Sequence, residues 1–273
     1  MKKGLFLIAV IFCFQAYSQR KPKIKGNRSV VEVQEDLPAF NAIELNDDLE
    51  IMLKKSSREG YEIEADDNLI DVLKFKVEDS TLFISSFYKI IGKKKLKITV
   101  NYTELVAITA NQGEIENSDV VFADELEVNA FGSSRLILNA TADIMEISME
   151  GMSSGDFNIA SDSLNIVLKN RVDARIYSVG ESSYISMYNN ASAKLEGTVD
   201  DLRVDLYEDA NLKAEKLEAT RVLANLQDSP YANVYAKEEF DLSSKGSSKT
   251  HLYGNPKITL TDFLDTSQLH KEK

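Results

Sequence analysis

Five carboxylates in this sequence recur at intervals of nineteen residues: Asp124, Asp143, Asp162, Glu181 and Asp200. If each interval is one turn of a stacked structure, they form a ladder with neighbours about 4.8 Å apart. Like charges at that distance repel by about 0.9 kcal/mol even at water's dielectric constant. Relief could come from splaying into solvent, from nearby lysines, or from a divalent cation such as Ca2+, which takes oxygen ligands. The plainer alternative is a turn, where Asp side chains bond backbone N–H groups. Tyrosines offer a second kind of chemistry. Tyr177, Tyr184, Tyr188, Tyr207, Tyr231, Tyr235 and Tyr253 gather in the second half, and Tyr188 and Tyr207 are again nineteen apart. Stacked rings would present a flat ligand surface; aromatic packing between turns is the alternative.

Catalytic machinery is scarce. His251 and His270 are the only histidines. No nucleophile motif, glycine-rich phosphate loop or metal-binding histidine pair is present, so a triad or metalloenzyme site is not expected. The expected set of catalytic and cofactor-binding residues is empty, and no cofactor is expected beyond Ca2+ at the acid ladder.

The elements that would position these residues share the same interval. Stepping by nineteen gives Gly113, Gly132, Gly151, Asn170, Asn189, Glu208, Gln227 and Gly246. Six of these eight are Gly or Asn, which most easily adopt φ > 0, so the column reads as a row of corners. Glu208 and Gln227 depart from it. Leu126, Met145, Leu164, Ser183, Leu202, Arg221 and Phe240 form another column, and Val128, Ile147, Ile166, Ile185, Val204, Leu223 and Leu242 follow two residues on. A further strand is marked by Leu138, Phe157, Ile176, Leu195, Ala214, Asn233 and Leu252. Alternation by two is strand periodicity. Near residue 222 the register slips, because Val222, Ala224 and Leu226 compete with the expected positions; a bulge or irregular coil is predicted there. Helical repeats need longer units, so the spacing predicts an all-β parallel β-helix with coils of about 19 residues.

Residues 30–103 carry longer, less periodic strand signals, around Leu49, Ile51, Leu53, Tyr61, Ile63, Phe75, Val77, Ile98 and Val100. They are expected to cap one end of the coils at 104–256 and to be continuous with them. Residues 257–273 are expected to finish the other end as a cap or tail, with Pro256 blocking further pairing. Lys93, Lys94, Lys95 and Lys97 are the one basic cluster, read as a solvated hairpin loop or as a contact to an anionic partner. Residues 19–29 read as a flexible basic linker.

The first eighteen residues read as a secretory signal: Lys2 and Lys3, an apolar run from Leu5 to Phe14 too short to span a bilayer, and Ala16-Tyr17-Ser18. Cys13 lies within the apolar run, preceded by Ile11 and Phe12 where a lipoprotein signal has small residues. Its removal leaves no thiol. The formal charge is -12, and loss of Lys2 and Lys3 leaves 30 basic against 44 acidic residues. Such a chain repels nucleic acid and anionic lipid. No later run is long enough for a transmembrane segment.

Small residues follow short strands at Phe131-Gly132-Ser133-Ser134, Gly151-Met152-Ser153-Ser154-Gly155-Asp156 and Gly246-Ser247-Ser248, and Tyr253-Gly254-Asn255-Pro256-Lys257-Ile258 closes the series. In these motifs, over about residues 37–260, the chain resembles the head GIN domain family, also described as "putative auto-transporter adhesin" (DUF2807). It departs from the usual Gly-Ser-Gly corner at Asn170-Arg171 and Asn189-Asn190. The resemblance implies an exported right-handed parallel β-helix of Bacteroidota-type bacteria, with no established catalytic residues.

Three functions are compatible with this reading. The first is a non-enzymatic binding or adhesion module of the bacterial envelope, partnered by a glycan or cell-surface protein and located in the periplasm, on the outer-membrane surface or outside the cell. The second is a carboxylate-based polysaccharide lyase or hydrolase, since enzymes of that kind occur on parallel β-helices. The third is a structural envelope protein with a protein partner. The unbroken nineteen-residue interval from Gly113 to Gly246 argues against the enzyme, because it leaves no room for the inserted loops that build a cleft.

Overall fold

Inward apolar columns and tight corners fold this chain as a stack of rungs. The computed structural model describes residues 21–273; the expected signal sequence lies outside them. The protein is all-β, with 73% of residues in strands and parallel coils of about 19 residues making about nine turns. Strands β10 (Ala107–Ala110), β11 (Glu114–Asn117) and β12 (Val121–Ala130) begin the regular coils. Then β13 (Arg135–Gly151), β14 (Ser154–Asn170), β15 (Asp173–Tyr188), β16 (Ser192–Glu208) and β17 (Asn211–Asp228) each form one almost complete turn. The stack continues through β18 (Tyr231–Ser244), β19 (Lys249–Gly254), β20 (Lys257–Phe263) and β21 (Gln268–Lys271).

Each long strand is two arms joined by a bend. In β13, Leu136, Leu138, Ala140 and Ala142 point inward, Asp143 and Ile144 both point outward, and Met145, Ile147 and Met149 point inward again. Two consecutive outward residues make the second corner. The first corner lies at the left-handed residue that ends the coil. Inward residues of successive rungs fall in register: Leu126, Met145 and Leu164; Val128, Ile147 and Ile166; Leu138, Phe157 and Ile176. Each is nearly fully buried, and each aliphatic side chain contributes roughly 1.5–3 kcal/mol relative to exposure.

Positive φ occurs at Gly113, Gly132, Gly151, Asn170, Asn189, Glu208 and Gly246, so the corner column holds through Glu208. Glu208 adopts φ 59° despite its side chain. Its carboxylate accepts the Asn189 backbone N–H at 2.6 Å, a charge-assisted bond that offsets the backbone strain. Asp265, φ 60°, does the same for Gly246 N–H at 3.0 Å. The next corner differs from expectation: it falls on Asp228, φ 75°, and not on Gln227.

The cause is the predicted irregularity. Lys194 pairs with Lys213, but Glu196 pairs with Lys216, so β17 carries one extra residue there. Glu215 and Lys216 both leave the interior, forming a β-bulge. Val222 and Ala224, not Arg221 and Leu223, therefore occupy the inward columns, paired with Leu202 and Val204. In β18, Val234 takes the inward place expected for Asn233.

Strands β3 (Ala42–Leu45) and β7 (Thr81–Ser86) extend one arm of the stack beyond β10, while β4 (Glu50–Lys55) and β9 (Leu96–Tyr102) extend the other beyond β11. Antiparallel strands then end it: β5 (Gly60–Asp66) on β9, β2 (Val30–Asp36) on β5, and β6 (Leu73–Glu78) on β7. Helix α1 (Asp67–Ile70) crosses between β5 and β6 and buries Leu69. Residues 21–29 are anchored where a free linker was expected: β1 (Lys23–Lys25) pairs with β8 (Lys89–Gly92). At the other end, residues 257–271 form a further rung on β18 and β19, and Pro256 does not stop the pairing.

Asp66 ties the cap together. Its buried carboxylate accepts the backbone N–H groups of Lys94 at 2.9 Å and Lys95 at 3.3 Å. The Lys94 bond, partly opposed by burial, holds the carboxyl below its ordinary range. A depressed folded value stabilises the protein above the unfolded value, about 3.9, and that stabilisation is lost as pH falls through the folded value. Thermal melts of Asp66→Asn and the parent protein should therefore differ at pH 7 and converge well below pH 4. At Gly113, φ 77°, an added Cβ would lie 2.4 Å from the Leu49 carbonyl oxygen. Gly113→Val is expected to cost at least about 1–3 kcal/mol from backbone strain, read as a lower denaturation midpoint.

Candidate functional site

The two arms give the solenoid two outward faces. The carboxylate ladder lies between them, at the second corner. Asp124, Asp143, Asp162, Glu181 and Asp200 are all exposed. The pairs Glu125–Ile144, Ile144–Ser163, Ser163–Ser182 and Ser182–Asp201, one residue further on, place them on successive rungs. Among the described residues no three His, Cys, Asp or Glu side chains converge as a metal site would require.

Beyond that corner, on the arm that follows it, an axial groove of about 610 Å³ crosses six rungs from Ile144 and Glu146 to Glu239 and Asp241. Six rungs at the usual spacing span about 24 Å. Two residues of its lining, Tyr184 and Arg203, belong to a polar network built on Asp205 beside it. Asp205, only 4% exposed, accepts hydrogen bonds from Tyr184 Oη at 2.8 Å, Arg203 Nη2 at 3.0 Å and Asn225 Nδ2 at 2.7 Å. The Arg203 guanidinium also lies over the Tyr184 ring, 5.1 Å from its centroid, a cation–π contact. Burial, then the bond to Asp205, raises the Tyr184 phenol pKa; the Asp205 carboxylate likewise holds the Arg203 proton more firmly.

At the groove edge Arg221 grips Asp201 through two bonds, Nε to Oδ1 at 2.6 Å and Nη2 to Oδ2 at 2.5 Å. Hydrogen bonding by Arg221 holds the Asp201 carboxyl below its ordinary range. The pair exists because of the β17 bulge, which turns Arg221 out of the expected inward column. The same shift leaves Leu223 42% exposed in the groove.

Tyr188 and Tyr207 stack as neighbours on this arm, with centroids 4.9 Å apart and planes at 4°. Lys169 lies 5.9 Å from the Tyr188 ring centroid. The other tyrosines divide: Tyr177, Tyr231, Tyr235 and Tyr253 belong to the opposite arm. There His251 and His270 are register partners with stacked rings 4.8 Å apart, and His251 Nδ1 lies 2.6 Å from Glu272 Oε1. Their spacing of nineteen residues sets the two rings on successive rungs. The basic cluster is engaged locally, with Lys93 on Glu50 at 3.3 Å and Lys95 on Glu64 at 3.2 Å.

Chemically, the groove presents the Tyr184 hydroxyl and ring, the Arg203 and Arg221 guanidinium groups and the Asp201 carboxylate, each held by a partner. Asp201 in the groove and Asp205 beside it are occupied by Arg, Tyr and Asn partners. Asp205→Ala would leave the Tyr184 hydroxyl and Asn225 amide without their acceptor, a loss on the order of 1–3 kcal/mol. Chemical denaturation should show that loss, and Asp205→Asn should recover part of it.

No helix among the described residues is long and apolar enough to cross a membrane. No curated protein matches the sequence. Among solved structures, a "putative adhesin" from Parabacteroides merdae superposes with TM-score 0.69 at 16% identity, covering 92% of this chain and all of the other. A "putative adhesin" from Parabacteroides distasonis gives 0.68 at 15%, covering 91% and 99%. A "putative lipid binding protein" from the same species gives 0.62 at 22%, covering 92% and 100%. These likenesses concern the fold. The family pattern described as "Putative auto-transporter adhesin, head GIN domain" matches residues 39–159 and 153–256, and the chain belongs to that family.

Proposed function

We propose that this protein is an exported, non-catalytic binding module of the bacterial envelope, and that its axial groove holds a linear, hydroxyl-rich glycan. The observation that carries this reading is the order of the groove lining: Tyr184 and Arg203 are fixed on Asp205, and Arg221 on Asp201. Groups fixed before a ligand arrives lose little freedom on binding. A straight groove across successive rungs suits an extended polymer better than a compact metabolite. The same hydrogen bonds occupy Asp201 and Asp205, so neither of these two is the free acid or base that carboxylate-based hydrolysis needs. Family membership supports the adhesion-type role.

A glycan array probed with the purified protein tests the proposal. Binding without product release is expected. Leu223→Ala and Asp241→Ala line the groove outside the Asp205 network and should weaken retention roughly tenfold, about 1.4 kcal/mol. Released oligosaccharide would establish an enzyme instead. Binding unchanged in both variants would remove the groove from the function, and silence across the array would favour a protein partner.

A further inference from the structure

The two ends of the solenoid are finished differently. At the N-terminal end, α1 and the antiparallel strands β5 and β6 close over the last parallel rungs, and Leu69, Val72 and Leu73 are buried there. At the opposite end, β20 lies in register on β18, with Ile258 on Phe240 and Leu260 on Leu242. These two residues continue columns that are completely buried one rung earlier, yet they are 41% and 47% exposed. Phe263 and Leu264 are 39% and 51% exposed beside them. Among the described residues β20 pairs in register only with β18, so its outer edge carries no strand. An apolar, unpaired edge of this kind is the surface to which another strand adds.

We propose that this end face binds the same face of a second copy, giving an end-to-end dimer related by a two-fold axis. The two-fold turns β20 antiparallel to its counterpart. Pairing centred on Thr259 sets Ile258 of each copy opposite Leu260 of the other, so the buried columns run on across the junction. It also brings Lys257 near Asp262 of the second copy, beyond the irregularity in β20 that follows Leu260. The charges on this strand thus complement one another when it meets itself. The N-terminal end supplies no such complement. Its parallel rungs are already covered, and its outer strand β2 exposes Glu32, Gln34, Glu35 and Asp36. Contact of one end face with its own copy also closes the assembly, where head-to-tail stacking would continue as a fibre.

Sedimentation velocity on the purified protein tests this. A dimer is expected at micromolar concentration. Leu260→Lys replaces a half-exposed side chain on the end face and should give a monomer with an unchanged far-ultraviolet spectrum. Lys257→Glu should weaken the dimer, and Lys257→Glu with Asp262→Lys should restore it. A parent protein that sediments as a monomer at all concentrations overturns the proposal. So does a dimer that survives Leu260→Lys, because its contact would then lie elsewhere. Failure of the charge reversal to be rescued by the double exchange overturns the strand register.

Discussion

Register between rungs is the constraint on which this protein depends. A parallel rung satisfies its backbone groups only on rungs above and below, and its inward side chains find apolar neighbours only if the columns stay aligned. A one-residue slip in a strand exchanges its inward and outward sets. The corner residues protect that alignment. Gly and Asn adopt the left-handed conformation that returns the chain to the same starting point; so do Asp228 and, each with a carboxylate bond to the preceding corner, Glu208 and Asp265.

The chain tolerates one slip, and the candidate site grows from it. The bulge at Glu215–Lys216 advances the second half of β17 by one residue, and β18 is shorter in compensation. Without the extra residue, Arg221 would stand over the inward Leu202. With it, Val222 fills the core and Arg221 meets Asp201 at the groove edge. One insertion thus preserves the apolar columns and gives the surface an ordered ion pair. The exposed pair adds little stability; its consequence is to fix the orientation of groups along the groove.

The two faces also divide the aromatic residues. Tyr184, Tyr188 and Tyr207 share one arm, whereas the Tyr231–His251–His270 row runs along the other near the open end. A count of tyrosines along the chain cannot distinguish these surfaces, because adjacent clusters in sequence lie on opposite sides of a bend.

The solenoid is legible in the chain alone. Period nineteen, alternation by two and the Gly/Asn column are local properties repeated at fixed spacing, and repetition is enough to specify stacking. Asp143 and its relatives were legible as one column for the same reason, and so were Tyr188 and Tyr207. The tertiary structure decided which columns continue beyond the bulge, moving the corner from Gln227 to Asp228 and Arg221 from the core to the groove. It decided that residues 21–29 dock against β8 and that residues 257–271 add a rung. It also joined Tyr184, Arg203 and Asn225 around Asp205. Those outcomes depend on which arm each residue faces and on where a single extra residue is absorbed, and only pairing between neighbouring rungs fixes both.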